Sequence, residues 1–225
     1  AGTTTITAGS GIASFTDLSI TGTAGSYVLT FSAGSLTPAI STSFALTTGA
    51  ATKLLITQQP TGAVSGVALS TQPIIRITDS AGNTVNTGSA VISLLALNAG
   101  SAIISGTSTV NAAAGVVSFT NLTLTGTAGS YSLLFTAGSL TSIISSGFAL
   151  TAGAATKLVI TQQPSGAVNG VALSTQPIVA IQDASGNTIT TSGSAVIATI
   201  TTGTGSLAGT TTITAGSGIA SFTDL

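Results

Sequence analysis

The chain contains no His, Cys, Met or Trp, and its four acidic residues are all Asp: Asp17, Asp79, Asp183 and Asp224. Its only cations are Lys53, Arg76 and Lys157. Each absence excludes something. Acid–base and nucleophilic catalysis draw on His, Glu, Cys, Lys and Asp, clustered so that their pKa values shift. That inventory is nearly empty, so neither an enzyme nor a cofactor is expected. Soft-metal sites need Cys or His, and no metal is expected. Three scattered cations cannot form the basic face that phosphate neutralisation requires, so nucleic acid is not an expected partner. The lack of Cys neither implies nor excludes secretion, since disulfides are optional in such chains.

Long apolar runs are also missing. Mean hydropathy is high, at +0.68, yet no apolar run approaches the ~20 residues that span hydrocarbon. Gly, Pro, Ser and Thr break every stretch within about eight residues, the rhythm of strands and turns. No span of the membrane is expected in this segment. No initiator Met and no charged-then-apolar leader are present, so a mature or internal segment is expected. With 3% charged residues and a net charge of −1, colloidal repulsion is weak and self-association is expected.

What is present is repetition. "ATKLLITQQPTGAVSGVALSTQP" begins at Ala51, and "ATKLVITQQPSGAVNGVALSTQP" begins at Ala155, a shift of 104. Tyr27 in "TAGSYVLTF" returns as Tyr131 in "TAGSYSLLF", again 104 residues on. Phe15 returns as Phe119 and then, 103 residues later, as Phe222. Residues 208–225 repeat residues 1–18 letter for letter. A long period of this kind denotes tandem domains rather than short solenoid turns. Residues 51–154 read as one complete copy, 1–50 as the C-terminal half of a preceding one, and 155–225 as the truncated N-terminal part of a following one.

Within a copy the apolar residues alternate. Ile75 and Ile77 are matched by Val179 and Ile181, while Arg76 and Thr78 are replaced by Ala180 and Gln182. Apolar identity kept on one face and relaxed on the other is the pattern of a half-buried strand. Tyr131, Leu133 and Phe135 match Tyr27, Leu29 and Phe31 in the same way. In "VVSFTNLTLTG", Val117 and Phe119 are in phase but Leu122 and Leu124 are not, which predicts a bulge or bend at Asn121. "DSAGNT" and "DASGNT" read as turns, with Gly82 and Gly186 where positive φ is needed and Asp79, Asn83, Asp183 and Asn187 bonding the local backbone. Seven or eight short strands per copy, no helical period and Gly-rich turns predict an all-β fold of antiparallel sandwiches.

The run "KLVITQQPSGAVNGVALSTQPIVAIQDASGNTIT", followed by "GIASFTDLSITGTAGSYVLTFSAG", resembles the tandem bacterial immunoglobulin-like domains of giant surface proteins and invasin-type adhesins. The resemblance spans all three copies. It implies immunoglobulin-like sandwiches with a repeat of about 104 residues, an extracellular or cell-surface setting, and a stalk or filament role rather than a reaction. It places Tyr27 and Tyr131 at the family's tyrosine-corner position. The chain departs from calcium-rigidified members, because its junctions, "TTGAATKL" and "TAGAATKL", carry no acid.

Other polar residues read more simply. A calcium site needs six to eight oxygen ligands, so one Asp per turn at 79 and 183 reads as a turn cap. Lys53 and Lys157 open matching strands; some related adhesins bond such a Lys covalently to Asn, but no Glu is available here to assist. A packed stem with a solvated head is the expected state. Asp17, Asn121 and Asp224 share one position, so charge is not what that position requires, and the sequon at Asn121 lacks counterparts. Thr3, Thr5 and Thr7 form a row that Thr210, Thr212 and Thr214 repeat, a candidate surface-binding row for a polysaccharide, matrix or crystal. Thr is also simply a good strand residue.

The expected function is therefore a building block of an extracellular bacterial fibre or giant surface protein. Its partners are further copies of the same repeat, joined covalently or by strand complementation. Covalent continuation is expected, because open half-sandwiches are aggregation hazards. The alternative is an adhesin module that binds carbohydrate or matrix through its Thr-rich faces.

Overall fold

A computed structural model of the chain describes residues 2–86, 91–97 and 102–225. The described residues are all-β, in several small sheets, and none is helical. No helix among them is long and apolar enough to cross a membrane. The β-branched, alternating sequence and its frequent glycines favour this outcome: Val, Ile and Thr suit the pleated surface, and Gly supplies turns.

In residues 51–154 one three-stranded sheet is ordered Val116–Ser118, Ile74–Thr78, Lys53–Gln58, all antiparallel. Leu54 lies opposite Ile77 and Ile56 opposite Ile75, with the register slipping between Ile56 and Gln58. The register of Lys157–Gln162 on Ile178–Gln182 is the same, with Leu158 opposite Ile181 and the slip between Ile160 and Gln162. A second, six-stranded sheet runs Thr109–Asn111, Val91–Leu97, Gly129–Thr136, Phe148–Thr151, Ala63–Val64, with Ile143–Ile144 pairing off Gly129–Thr136. Its pairs are antiparallel except the last, where Leu150 meets Ala63 in parallel.

These sheets share one core. Leu54, Ile75 and Ile77 from the first pack with Tyr131, Leu133 and Phe135 from the second, and Phe119, Leu122 and Leu124 fill the space between. Removing each such side chain from water stabilises the fold by about 1.5–3 kcal/mol. Phe119 and Phe135 meet at 5.8 Å with tilted rings, a favourable aromatic geometry. Phe15 and Phe31, 104 residues earlier, meet at 5.5 Å in the same way.

Two expectations need correcting in detail. The phase change at Asn121 is a change of sheet: Val116–Ser118 pairs with Ile74–Thr78, whereas Thr123–Thr125 pairs with Ile103–Ser105 and Val67–Ala68. Both phases are buried because the chain crosses the core between them. Gln72 steadies the crossing, its amide accepting from Leu122 N at 2.9 Å and donating to Leu122 O at 3.1 Å. The relaxed face of Ile74–Thr78 is not open either. Thr78 and Ala180 are both buried, and at this end the chain turns back to pair beside each strand, with Val85 N bonding Ile77 O and Ile189 N bonding Ile181 O.

The flanking segments are half-built by comparison. No described residue of 2–50 is buried; its strands form only two pairs, Gly25–Tyr27 with Phe44–Leu46 and Thr30–Phe31 with Ala39–Ile40. Residues 155–225 hold a smaller core around Val179, Ile181, Val196 and Phe222. This contrast generates a prediction. Phe135→Ala should cost about 3–5 kcal/mol, while Phe31→Ala, whose ring is 38% exposed, should cost well under half of that. Residue-resolved hydrogen exchange in urea separates the two losses.

Candidate functional site at the segment junctions

The turn at 79–83 closes on itself first. Asp79 N donates to Asn83 O at 3.0 Å and Gly82 N to Asp79 O at 3.1 Å. The Asp79 carboxylate accepts from Asn83 N through Oδ1 and from Asn83 Nδ2 through Oδ2, each at 2.9 Å. Gly82 takes φ +90°, in the region where a Cβ would be strained.

The same two side chains then reach into the preceding segment. Asp79 Oδ2 accepts from Gly49 N at 2.9 Å. Asn83 Oδ1 accepts from Ala24 N at 2.8 Å, and Asn83 Nδ2 donates to Gly22 O at 2.9 Å. A primary amide carries donor and acceptor side by side, so Asn83 meets the 22–24 backbone much as a neighbouring strand would. Tyr27 braces that turn from the other side, its hydroxyl donating to Thr23 O at 2.7 Å.

The arrangement recurs 104 residues later. Gly153 N donates to Asp183 Oδ2 at 2.8 Å, and Asn187 bonds Asp183 through its N–H at 2.9 Å and its amide at 2.8 Å. Asn187 Oδ1 accepts from Ala128 N at 2.7 Å, and its Nδ2 donates to Gly126 O at 2.9 Å. Tyr131 donates to Thr127 O at 2.9 Å. Ser65 adds to this second junction, its hydroxyl lying 3.3 Å from Gly126 O and 3.2 Å from Ser185 Oγ. The lysines lie across the turns: Lys53 Nζ donates to Ser80 O at 3.1 Å and Lys157 Nζ to Ala184 O at 3.4 Å. Sequence reasoning treats 79–83 and 183–187 as local caps and misses Gly22, Gly49, Ser65, Gly126 and Gly153. The available signal is that Asp, Gly and Asn persist while Ser80-Ala81 becomes Ala184-Ser185.

Asp79 and Asp183 are buried, at 4% and 3% exposure. A buried carboxylate is costly unless hydrogen-bonded, and these are well supplied. The Asn83 amide, then the Gly49 N–H, hold the Asp79 carboxyl down at about 2, from an ordinary 3.8. For Asp183 burial is the largest influence and acts upward; the bonds from Asn187 and Gly153 outweigh it, and the net direction is down.

The threonine rows are placed differently. Asp17 accepts from Thr3 N at 2.9 Å and from Thr3 Oγ1 at 2.8 Å; Asp224 accepts from Thr210 N and Thr210 Oγ1, both at 2.8 Å. The backbone N–H and then the hydroxyl of that threonine lower both carboxyls. Asn121 bonds Thr107 in the same place, so a shared geometry explains the Asp/Asn exchange. At the intervening Gly106, φ is +88° and a Cβ would sit 2.2 Å from Asn121 O. The hydroxyls of Thr3 and Thr210 are thus committed to Asp17 and Asp224. All six threonines of the two rows are exposed, and Thr5, Thr7, Thr212 and Thr214 lie outside these pairs. Among the described residues no three acidic side chains come together.

No protein-family model matches the chain, and no curated protein matches it.

Two predictions follow from the junction geometry. A Cβ at Gly153 would lie 2.5 Å from the Ser65 carbonyl oxygen, whereas at Gly49 the nearest atoms are at an ordinary 3.6 Å. Gly153→Ala should therefore unfasten its junction and Gly49→Ala should not, read as exchange protection of the Ala128 and Ala24 amides respectively. The second concerns pH. Because the folded carboxyl of Asp79 is depressed, its contribution is complete above about 3.8 and is lost as pH falls towards about 2. Protection of the Ala24 amide should fall across that window and stay flat from pH 5 to 8.

Proposed function

We propose that the chain is a structural, non-catalytic segment of an extracellular stalk or filament, built from tandem immunoglobulin-like sandwiches that repeat about every 104 residues. The observation that carries this reading is the junction itself. The same Asp–Asn turn grips the same backbone groups at 22–24 and 49, and again at 126–128 and 153. A linker that only connected domains would need no such contact; a fixed one converts a string of beads into a beam. Each repeat would extend that beam by roughly 40 Å, from strands of 6–8 residues at ~3.3 Å each plus loops.

The repeated aromatic pair supports the reading too, since Phe15–Phe31 and Phe119–Phe135 have the same geometry. So does the composition, which leaves a surface of hydroxyls and small apolar groups with almost no charge. The adhesin alternative rests on six exposed threonines in two short rows, two of them bonded to Asp17 and Asp224, a small area for gripping a polysaccharide or crystal.

Imaging tests the proposal. Negative-stain electron microscopy of the chain should show short straight rods. Asn83→Ala combined with Asn187→Ala should give rods bent at two points, with the folded cores intact by circular dichroism. Wild-type particles with freely variable angles would sink the reading.

A further inference from the structure

Residues 126–128 lie between the strands Thr123–Thr125 and Gly129–Thr136, outside both, and side chains from three places hold them. Gly126 O and Ala128 N bond the Asn187 amide, at 2.9 and 2.7 Å. The carbonyl between them, Thr127 O, accepts from the Tyr131 hydroxyl at 2.9 Å. Gly126 N donates to Ser65 Oγ at 3.2 Å. Tyr131 and Ser65 thus grip from within 51–154 the same three residues that Asn187 grips from 155–225. Moving Thr127 moves both groups that Asn187 meets, because the three peptide planes are joined at two α-carbons.

The Tyr131 ring does not need its hydroxyl to stay in place. It is fully buried in the core, on a strand that pairs with Phe148–Thr151 and with Val91–Leu97. A buried hydroxyl needs a partner, and of the groups nearby it takes the one carbonyl that sits between the two atoms used by Asn187. The same bonds recur 104 residues earlier, where Tyr27 holds Thr23 O while Asn83 holds Gly22 O and Ala24 N. On the far side Asn187 is tied to its own unit. Its N–H and amide bond Asp183, which follows the strand Ile178–Gln182. Two residues on, Ile189 N bonds Ile181 O at 2.9 Å, and Ile181 belongs to the core of 155–225. Contacts therefore run from one core to the other through Tyr131, residues 126–128 and Asn187.

We propose that the Tyr131 hydroxyl is a positioning group for the junction, and that through Asn187 it makes the stability of residues 155–225 depend on the folded state of 51–154. While 51–154 is folded, Tyr131 holds Thr127 O, and Gly126 O and Ala128 N stand ready at the spacing of a primary amide. Asn187 then closes its turn on partners already in place, with less ordering left to do. When 51–154 opens, those partners are lost and the turn keeps only its own Asp183. Stability passes between neighbours as an interface term, as in other tandem arrays, and by linkage it passes equally in both directions. The inference rests on the reading of the junction as a gripped contact; rod shape tests that reading, whereas the measurement below tests the coupling alone.

A contiguous path is not yet a coupling; a double-mutant cycle decides. Tyr131→Phe keeps the buried ring and removes only the O–H. Three amides are followed by hydrogen exchange in the whole chain: Ala128, bonded to Asn187; Ile181, bonded to Gly218 O in the core of 155–225; and Leu133, bonded to Ser145 Oγ in the core of 51–154. In Tyr131→Phe the Ala128 amide should lose protection roughly fivefold, the loss of one hydrogen bond. Ile181 should lose protection in the same direction, and Leu133 should hold its wild-type value. Asn187→Ala should lower Ala128 and Ile181 as well. The double variant should fall no further at Ile181 than Asn187→Ala alone, because the hydroxyl acts through that amide. Equal losses at Leu133 and Ala128 in Tyr131→Phe would show a hydroxyl that serves only its own core, and would overturn the proposal. So would an Ile181 amide that Tyr131→Phe leaves unchanged, or losses at Ile181 that simply add in the double variant.

Discussion

An apolar sheet face has to be covered, and in this chain the cover comes from residues far away along the sequence. Leu54 and Ile75 become core only when Tyr131, Leu133 and Phe135 lie over them. Nothing else in the composition substitutes for that closure. The chain has no cysteine to form a disulfide, and among the described residues no three acidic side chains come together; burial of apolar surface is the dominant favourable term in folding. The consequence is visible in one molecule, where near-identical sequences are buried between 51 and 154, only partly buried in 155–225 and unburied among the described residues of 2–50. Local propensity is the same in all three places; tertiary cover is what differs.

With the cores built from apolar residues, orientation between them falls to a few polar atoms. Two side chains per junction, one Asp and one Asn, serve five backbone or side-chain groups in a nearly chargeless surface. Short hydrogen bonds suit this task better than ion pairs would. They act only at contact and in one geometry, and they are largely indifferent to salt, whereas exposed charge pairs weaken as ionic strength rises. The carboxylate is stable in its buried setting because the N–H groups that surround it bond its charged form. Asn187 could not be replaced by Asp without placing a second acceptor against Gly126 O, which is why the two positions are not interchangeable although Asp and Asn exchange freely at 17, 121 and 224.

The period, the alternation at 75–77 and 131–135, and the all-β class are legible in the residues themselves, because burial on one face of a strand imposes a two-residue rhythm that substitutions between copies respect. The change of sheet at 119–122 is only half legible. A phase slip reports that something bends, but whether the chain bulges within one sheet or crosses to another depends on partners such as Gln72 that lie some fifty residues away. The junction was less legible still. Asp79 and Asn83 do close their own turn, so a local reading satisfies the sequence; the additional bonds to Gly22, Ala24 and Gly49 use backbone groups, which leave almost no signature in side-chain identity. The exposed apolar face of 155–225 is invisible to composition, since its residues are the same ones that form a buried core one copy earlier.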